Sequence, residues 1–409
     1  MQVYLVGGAI RDLLLGIEIQ DRDWVVVGST PDEMIKKKFL KVGRDFPVFL
    51  HPITHEEYAL ARTERKIGVG YNGFKVNFSS KVTLEEDLMR RDLTINAIAQ
   101  DNMGNFIDPF LGQLDVKRRV LRHVSSAFSE DPLRVFRVAR FAANLFHLGF
   151  YIAKDTLVLM KSICIKKEIM TLLPDRIWKE IIKGLKTSNP HIFFMILNQC
   201  HALKYVCPEF FYLFQNFRYS LYKKVNFSFR KLVFTELIYI SLQTKNAEIR
   251  FLYLCQFFSK RHSLGCSSVI LRFFDKKSSQ IVYSLCKRLK VSTEILKMSV
   301  LMCGFYHFLQ NIYAQTAEKI VKFFNILDVW RRPKRLKKLI YLKIYENSFF
   351  FLKKYPLSLG KFLKKMFQII NKITVQSHSL HRNFKGVQIR KELNRLRVKI
   401  LKKWLISNI

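Results

Sequence analysis

The chain is short of acidic residues, of paired cysteines and of long apolar runs, and each shortage removes a class of protein. Its seven cysteines, Cys164, Cys200, Cys207, Cys255, Cys266, Cys286 and Cys303, are odd in number and form no C-x-x-C pair. That pattern fits neither a disulfide framework nor a zinc knuckle; it suits buried thiols in a reducing cytoplasm. Apolar residues never run unbroken for the roughly 18 positions a transmembrane helix needs, so none is expected. No basic segment precedes the apolar opening, which Arg11 and Asp12 interrupt, so a secretory leader is not expected either. A fixed-period repeat is also missing, which argues against a solenoid.

The shortage of acid is uneven. Against 70 Lys plus Arg stand 32 Asp plus Glu, a formal charge of +38. Residues 1–200 carry 29 basic and 23 acidic side chains, whereas residues 201–409 carry 41 and 9. A nearly balanced first half is what an enzyme core shows, and the second half suits a polyanion. Mutational drift toward Lys, Ile, Phe and Asn is a second source of the excess, and the 36 Phe agree with it. With 409 residues and 49% hydrophobic content, two to four domains are expected.

The first 120 residues alternate strand-like and helix-like stretches, the mark of an α/β domain. "QVYLV" runs into Gly7 and Gly8, "RDLLLG" closes on Gly16, and "WVVVG" is rich in β-branched residues. Thr30, Pro31, Asp32 and Glu33 mark a helix start, with a hydroxyl N-cap, proline at the first helical position and acid in the first turn. "PVFLH" and "EEYALART" read as further strands, and "KIGVGYNGFKVNF", with Gly68, Gly70 and Gly73, as a mobile loop. From about Ser125 the periodicity becomes helical. "DPLRVFRVARFAANLF" spaces apolar positions three and four apart, and "RIWKEIIKGLKTSNP" stops at Asn-Pro. "AEKIVKFFNILDVW", "RRPKRLKKLIYLK" and "LGKFLKKMFQIINK" continue it as an irregular helical array.

Four short motifs bear chemistry. In "DRDWVVV", residues two apart on a strand share a face, so Asp21 and Asp23 can aim both carboxylates at one point. Paired oxygen ligands suit Mg²⁺, which keeps several waters and takes substrate phosphates as further ligands. Taken alone, Asp-x-Asp is as easily a solvated turn or a helix cap. "GGAIRD" places two glycines where a strand meets a helix start, an arrangement that lets backbone amides approach a phosphate, with Arg11 one turn in; an ordinary turn with a surface Arg is the alternative. "EDLMRRDLTINAIAQ" sets Arg91 and Asp92 beside an apolar segment, suited either to a triphosphate and ribose or to a surface salt bridge. In "EDPLRVFRVARF", Asp131, Arg134, Arg137 and Arg140 recur every three residues and are expected on one broad helix face. An ion-pair ladder accounts for Asp131 with Arg134, but no acid between 132 and 154 is left for the other two.

Together with "VGRDFPVFLHP" and "HEEYALARTERK", these stretches resemble the bacterial CCA-adding tRNA nucleotidyltransferases, a class that includes bacterial poly(A) polymerases. The likeness runs over residues 1 to about 200 and returns near "FKGVQIRKEL". It implies an α/β nucleotidyltransferase head with a mixed, polymerase-beta-like sheet over 1–122. An all-α neck with the nucleobase-selecting motif follows over 123–205, and a helical body and tail over 206–409. It implies Asp21, Asp23 and Glu57 as catalytic carboxylates, Asp21 and Asp23 holding Mg²⁺, with Glu56 adjacent to the third. Gly8, Arg11, Arg91 and Asp92 would hold the phosphates and sugar of CTP or ATP. Glu130, Asp131 and Arg134 would select the base, and Arg137 and Arg140 would complete the pocket. The tRNA 3′ end is the implied partner of a cytoplasmic enzyme with no membrane attachment. A monomer is expected, with a homodimer as the alternative.

One departure stands out. Many bacterial relatives carry a His-Asp phosphohydrolase pair, but the matching stretch here, "IRFLYLCQFFSKR", has Gln256 and Phe257 in its place. An amide and a phenyl ring cannot supply imidazole and carboxylate ligands, so no phosphohydrolase activity is expected. A poly(A) polymerase or A-adding enzyme of the same fold, and a non-catalytic tRNA-binding descendant, are the competing readings.

Overall fold

The computed structural model describes residues 1–42, 48–66, 68, 74–215, 218–219, 227–264, 273–344, 359–374 and 386–408. The chain forms two compact units, Met1–Phe211 and Tyr212–Ile409. Gly70 and Gly73 of the glycine-rich stretch, and most of "VGRD", lie outside the described residues.

The first unit is built on β1 (Gln2–Val6), α1 (Gly8–Leu14), β2 (Asp23–Val27), α2 (Pro31–Lys36), β3 (Leu40–Lys41), β4 (Val48–Leu50), β5 (Glu57–Leu60), β6 (Thr63–Lys66), β7 (Phe74–Asn77), α3 (Leu84–Met89), β8 (Ala99–Gln100) and β9 (Phe106–Ile107). Seven of these strands form a mixed sheet in the order β3-β4-β5-β2-β1-β8-β9. Its one parallel pair, β2 with β5, sets Asp23 opposite Glu57, while the antiparallel β1 sets Val6 opposite Asp23. Alternation along β2 fixes the two faces. Val25 packs with Val6, Leu88 and Ala97 on one side, and Val26 with Met34 of α2, Phe49 and Leu60 on the other. The expected start of α2 is present: Thr30 and Glu33 form a reciprocal capping box with Pro31 in the first turn.

Helices dominate afterwards, through α4 (Gly112–Arg118), the short parallel pair β10 (Val120–Leu121) and β11 (Tyr151–Ile152), α5 (Arg134–Leu145), α6 (Lys154–Ile165), α7 (Pro174–Lys186), α8 (Pro190–Gln199), α9 (Ala202–Val206) and α10 (Pro208–Phe214). The Asn-Pro stop also starts the next helix, since Pro190 opens α8. The rings of Phe136 on α5 and Phe193 on α8 meet 6.4 Å apart. Gly184 of α7 makes room for this contact, because a Cβ there would fall 2.7 Å from the Phe193 ring.

The second unit contains the two-residue strands β12 (Arg218–Tyr219) and β13 (Phe227–Ser228), then α11 (Phe229–Gln243), α12 (Ala247–Leu264), α13 (Lys276–Arg288), α14 (Thr293–Gly304), α15 (Tyr306–Gln310), α16 (Ala317–Leu327), α17 (Pro333–Ile344), α18 (Leu359–Asn371) and α19 (Val387–Asn408). Gln256 and Phe257 are both buried in α12, the phenyl ring edge-on to Phe229 and Tyr253. The position is filled by packing. All six described cysteines are buried and free, and no described helix is long and apolar enough to cross a membrane.

Candidate active site

Two sequence expectations about local geometry need correction. Strand β2 begins at Asp23, so Asp21 lies on the segment leading into it and not on the strand. Helix α5 begins at Arg134, while Asp131 is extended backbone at φ −109°. Pro132 explains this in part, because the residue before a proline is disfavoured in the helical region. Asp131 and Arg134 therefore do not form the expected ladder pair: Asp131 accepts from Arg176 Nη2 at 3.2 Å instead.

The sheet face that carries Asp23, Val25, Glu57 and Ala59 forms one wall of a cavity of about 790 Å³. Opposite stand residues from the segment after α3 and from α5 and α7, among them Arg91, Asp92, Asn96, Arg137, Phe141 and Arg176. Seven of the described lining residues are arginines and none is lysine, in a chain where lysine outnumbers arginine 43 to 27. Four carboxylates, those of Asp23, Glu57, Asp92 and Asp131, line it too. The wall thus carries a net positive charge made of planar guanidinium groups, which suit phosphate oxygens better than ammonium groups do.

Glycine is required where β1 enters α1. Gly7 has φ 76° and ψ −133°, a conformation open to glycine alone, and a Cβ there would sit 3.2 Å from Arg91 Nη1. The adjacent Gly8 also lines the cavity, and its Cβ would meet Arg11 Nη2 at 3.4 Å. First-turn amides of α1 have no carbonyl within the helix to bond.

A chain of hydrogen bonds ties the lining together. Arg11 donates from Nη1 to Asn96 Oδ1 at 2.9 Å, Asn96 Nδ2 donates to Asp92 Oδ1 at 3.1 Å, and Arg137 Nε donates to Asp92 Oδ2 at 2.7 Å. Asp92 is 5% exposed. Burial alone would raise its pKa, but the Arg137 charge and the bonds from Asn96 and Arg137 bring it down to about 2. Asp87 is a second hub, fully buried, accepting from Arg90 Nε at 3.0 Å and Arg91 Nη2 at 3.1 Å. Burial raises its pKa, yet the two arginines lower it overall. Arg91 Nη1 also donates to the Asn96 carbonyl at 3.3 Å. The acids missing near α5 are thus supplied from a distance, Asp92 for Arg137 and Glu180 of α7 for Arg140, at 2.8 Å.

Not every expected residue faces the cavity. Gly8, Arg11, Asp23, Glu57, Arg91, Asp92, Asp131, Arg134 and Arg137 line it; Asp21, Glu130 and Arg140 do not. The two adjacent acids have different surroundings. Glu57 shares the cavity face with Asp23, whereas Glu56 accepts from the Trp24 indole at 3.1 Å. Arg140 reaches the site only indirectly, over the Phe141 ring at 4.4 Å, where Arg11 and Arg137 also lie within 6 Å.

The Asp23 pKa is raised: loss of water contact is the largest cause, the Arg91 charge opposes it, and the Asp21 charge adds a smaller rise. Asp23 lines the arginine-rich cavity and feels the charge of Asp21 nearby, and two such carboxylates form a hard oxygen donor set, which suits Mg²⁺. Among the described residues no three His, Cys, Asp or Glu side chains gather to form a closed metal cage. An open pair of this kind fits an ion that takes its other ligands from water and substrate.

Residues 3–122 match the poly A polymerase head domain, and residues 149–213 match the probable RNA and SrmB-binding site of polymerase A. The chain is 52% identical over 415 residues to the CCA-adding enzyme of Buchnera aphidicola subsp. Cinara cedri (strain Cc), covering 100% of each. It is 50% identical over 406 residues to that of Buchnera aphidicola subsp. Schizaphis graminum (strain Sg), covering 99% of this chain and 97% of the other. The chain belongs to the CCA-adding enzymes. Its fold is that of the Bacillus stearothermophilus CCA-adding enzyme crystallised with CTP, at a TM-score of 0.67 and 20% identity, covering 99% of this chain and 92% of that one. As a CCA-adding enzyme it is a tRNA nucleotidyltransferase.

Sequence reasoning missed Asn96, Asp87, Arg62, Arg90, Phe141 and Arg176, all but Asp87 in the cavity wall. For Asp87 a signal existed: an acid three and four residues before Arg90 and Arg91 is at helical ion-pair spacing. Nothing local marks Arg176, whose partner lies 45 residues away.

Proposed function

We propose that the cavity between β2, β5 and α5 takes CTP and ATP in turn and joins their nucleotides to the tRNA 3′ end, releasing pyrophosphate. The observation that carries this reading is the arginine-rich cavity wall that Asp23 and Glu57 also line. Arg11 and Arg91, held by Asn96 and Asp87, bind the triphosphate with the Gly7–Gly8 turn. Asp92 keeps Arg137 and Asn96 in place. Asp21 and Asp23 would hold Mg²⁺, which would offset charge on the phosphate oxygens and the attacking hydroxyl. The terminal 3′ hydroxyl attacks the α-phosphorus, the bond to pyrophosphate breaks, and Glu57, beside Asp23, is placed to receive the proton. Preorganised guanidinium groups supply most of the acceleration in such chemistry, since they need not reorient as charge shifts. Asp131 and its neighbours read the base.

The helical unit supplies RNA contacts, but from fewer groups than its charge suggests. Arg332, just before α17, and Arg335 on it pair with Glu294, and Lys338 pairs with Glu248. The exposed Lys361, Lys364 and Lys365 of α18, with Lys391, Lys399, Lys402 and Lys403 of α19, are the better candidates for phosphate. Each phosphate so neutralised adds roughly 0.7 to 0.9 to the salt slope.

The test is incubation of the chain and Mg²⁺ with tRNA lacking its last three nucleotides, CTP and ATP given singly and together, and sequencing of the 3′ ends. Two cytidines and one adenosine, then a stop, support the reading. Long A tails favour a poly(A) polymerase, and no extension favours a binding protein.

A further inference from the structure

Three guanidinium groups converge on one aromatic ring. Phe141 of α5 lines the cavity and is 8% exposed. The guanidinium centre of Arg140 lies 4.4 Å from the ring centroid, that of Arg11 5.5 Å and that of Arg137 5.8 Å. Arg137, four residues before Phe141, shares its helix face, whereas Arg11 comes from α1. Each cation is also tied to an acid: Arg11 to Asp12 at 2.8 Å, Arg137 to Asp92 at 2.7 Å and Arg140 to Glu180 at 2.8 Å. Those acids stand on α1, after α3 and on α7, so the three ion pairs come from separate places and meet at the ring. An aromatic face carries negative potential and attracts a cation, yet it takes no N–H and adds no formal charge. A further carboxylate in its place would occupy donors and cancel positive charge. Among the described residues Arg137 makes one side-chain hydrogen bond, from Nε to Asp92, and both its terminal nitrogens are left for an anion. Arg11 uses one N–H of each terminal nitrogen, on Asn96 and Asp12, and keeps the second.

We propose that Phe141 is a positioning residue for the polyphosphate: its π face gathers Arg11 and Arg137 about one ring and leaves their remaining N–H groups to the phosphate oxygens. The proposal rests on the reading that this cavity takes nucleoside triphosphates. The polyphosphate is common to CTP and ATP, so the ring serves both alike and takes no part in choosing between bases. An aliphatic side chain of similar volume would fill the same space but hold no attraction for the cations, and their mutual repulsion would then drive them apart. Preorganised cations are worth most when they need not be drawn together as the anion arrives.

The test uses the full chain, its Phe141→Leu variant, and chains with mono-, di- and trifluorinated phenylalanine at position 141, a series that keeps the apolar shape while draining electron density from the ring face. KM is measured for CTP on tRNA lacking its CCA end and for ATP on tRNA ending in CC. The inhibition constant of inorganic tripolyphosphate against CTP is measured beside them, all at fixed free Mg²⁺. Expected is a stepwise rise of both KM values and of the inhibition constant with each fluorine, reaching about fivefold for the trifluorinated ring and at least as much for Phe141→Leu. The preference for CTP over UTP and the melting midpoint of the fluorinated chains should stay unchanged. If the Leu variant does not fold, the fluorinated series carries the test. Flat KM values across that series, with tripolyphosphate still competing against CTP, would overturn the role of Phe141 and leave the cavity reading standing. A preference for CTP over UTP that falls with fluorination would make the ring a base contact and overturn the positioning role. No competition between tripolyphosphate and CTP in the unmodified chain would overturn both readings.

Discussion

Replacing Asp92 by Asn removes the central link of the chain that joins Arg11 to Arg137. The size of the effect follows from the carboxyl's own titration. Its pKa falls from 3.8 to about 2 on folding, and at roughly 1.36 kcal/mol per unit this corresponds to about 2.4 kcal/mol. Because the folded value is the lower one, the contribution is complete above about pH 5 and is lost as pH falls through 3.8 toward 2. Asp92 is only 5% exposed, so screening by water takes little from it. Breaking a fully buried pair costs about 3–5 kcal/mol, but the Arg137 side chain is 39% exposed and can turn to solvent once its partner is gone. The expected loss is therefore about 2 kcal/mol, accompanied by a higher KM for both CTP and ATP. Amide hydrogen exchange within Met1–Phe211 is the suitable assay, because a chain of two units need not unfold in one step. The gap between wild type and variant should narrow as pH falls below about 4 and close only near about pH 2. A variant with undiminished protection and unchanged KM at pH 7 would refute the reasoning.

Three further outcomes are expected. Gly7→Ala forces a side chain into a glycine-only conformation and against Arg91, costing about 1–3 kcal/mol, so kcat/KM for both nucleotides should fall; steady-state kinetics with a melting curve check it. Glu57→Gln should lower kcat by about 100-fold or more, the range for a lost proton acceptor, whereas Glu56→Gln, facing Trp24, should stay within a few-fold. In the native chain the six described cysteines should resist an aromatic disulfide reagent and all react after unfolding, as their burial requires.

Much of the head could be read from sequence because its signals are local. The Gly-Gly turn, the Thr30 capping box and the β-branched run of β2 each act within a few residues, and all three form as expected. Strand alternation explains why Glu57 and not Glu56 faces Asp23, but that needs the β2–β5 register, which no short stretch encodes. The α5 arginines show the limit most clearly. Their spacing suggested one shared face with no acids to balance it, yet Asp92 and Glu180, about 40 or more residues away, provide the balance. Three-residue spacing predicts Asp131 on the helix, while the helix starts at Arg134 and Pro132 favours extended backbone at Asp131. Pairings between distant segments depend on how elements pack, so Arg176 carries no mark in its own surroundings.

The most direct test is diffraction from crystals of the chain soaked with CTP and Mn²⁺, collected at a wavelength where manganese scatters anomalously. The expected result is an anomalous peak between the carboxylates of Asp21 and Asp23, with the triphosphate lying toward Arg11 and Arg91. A peak elsewhere, or a nucleotide bound outside the cavity, would contradict the assignment of this site.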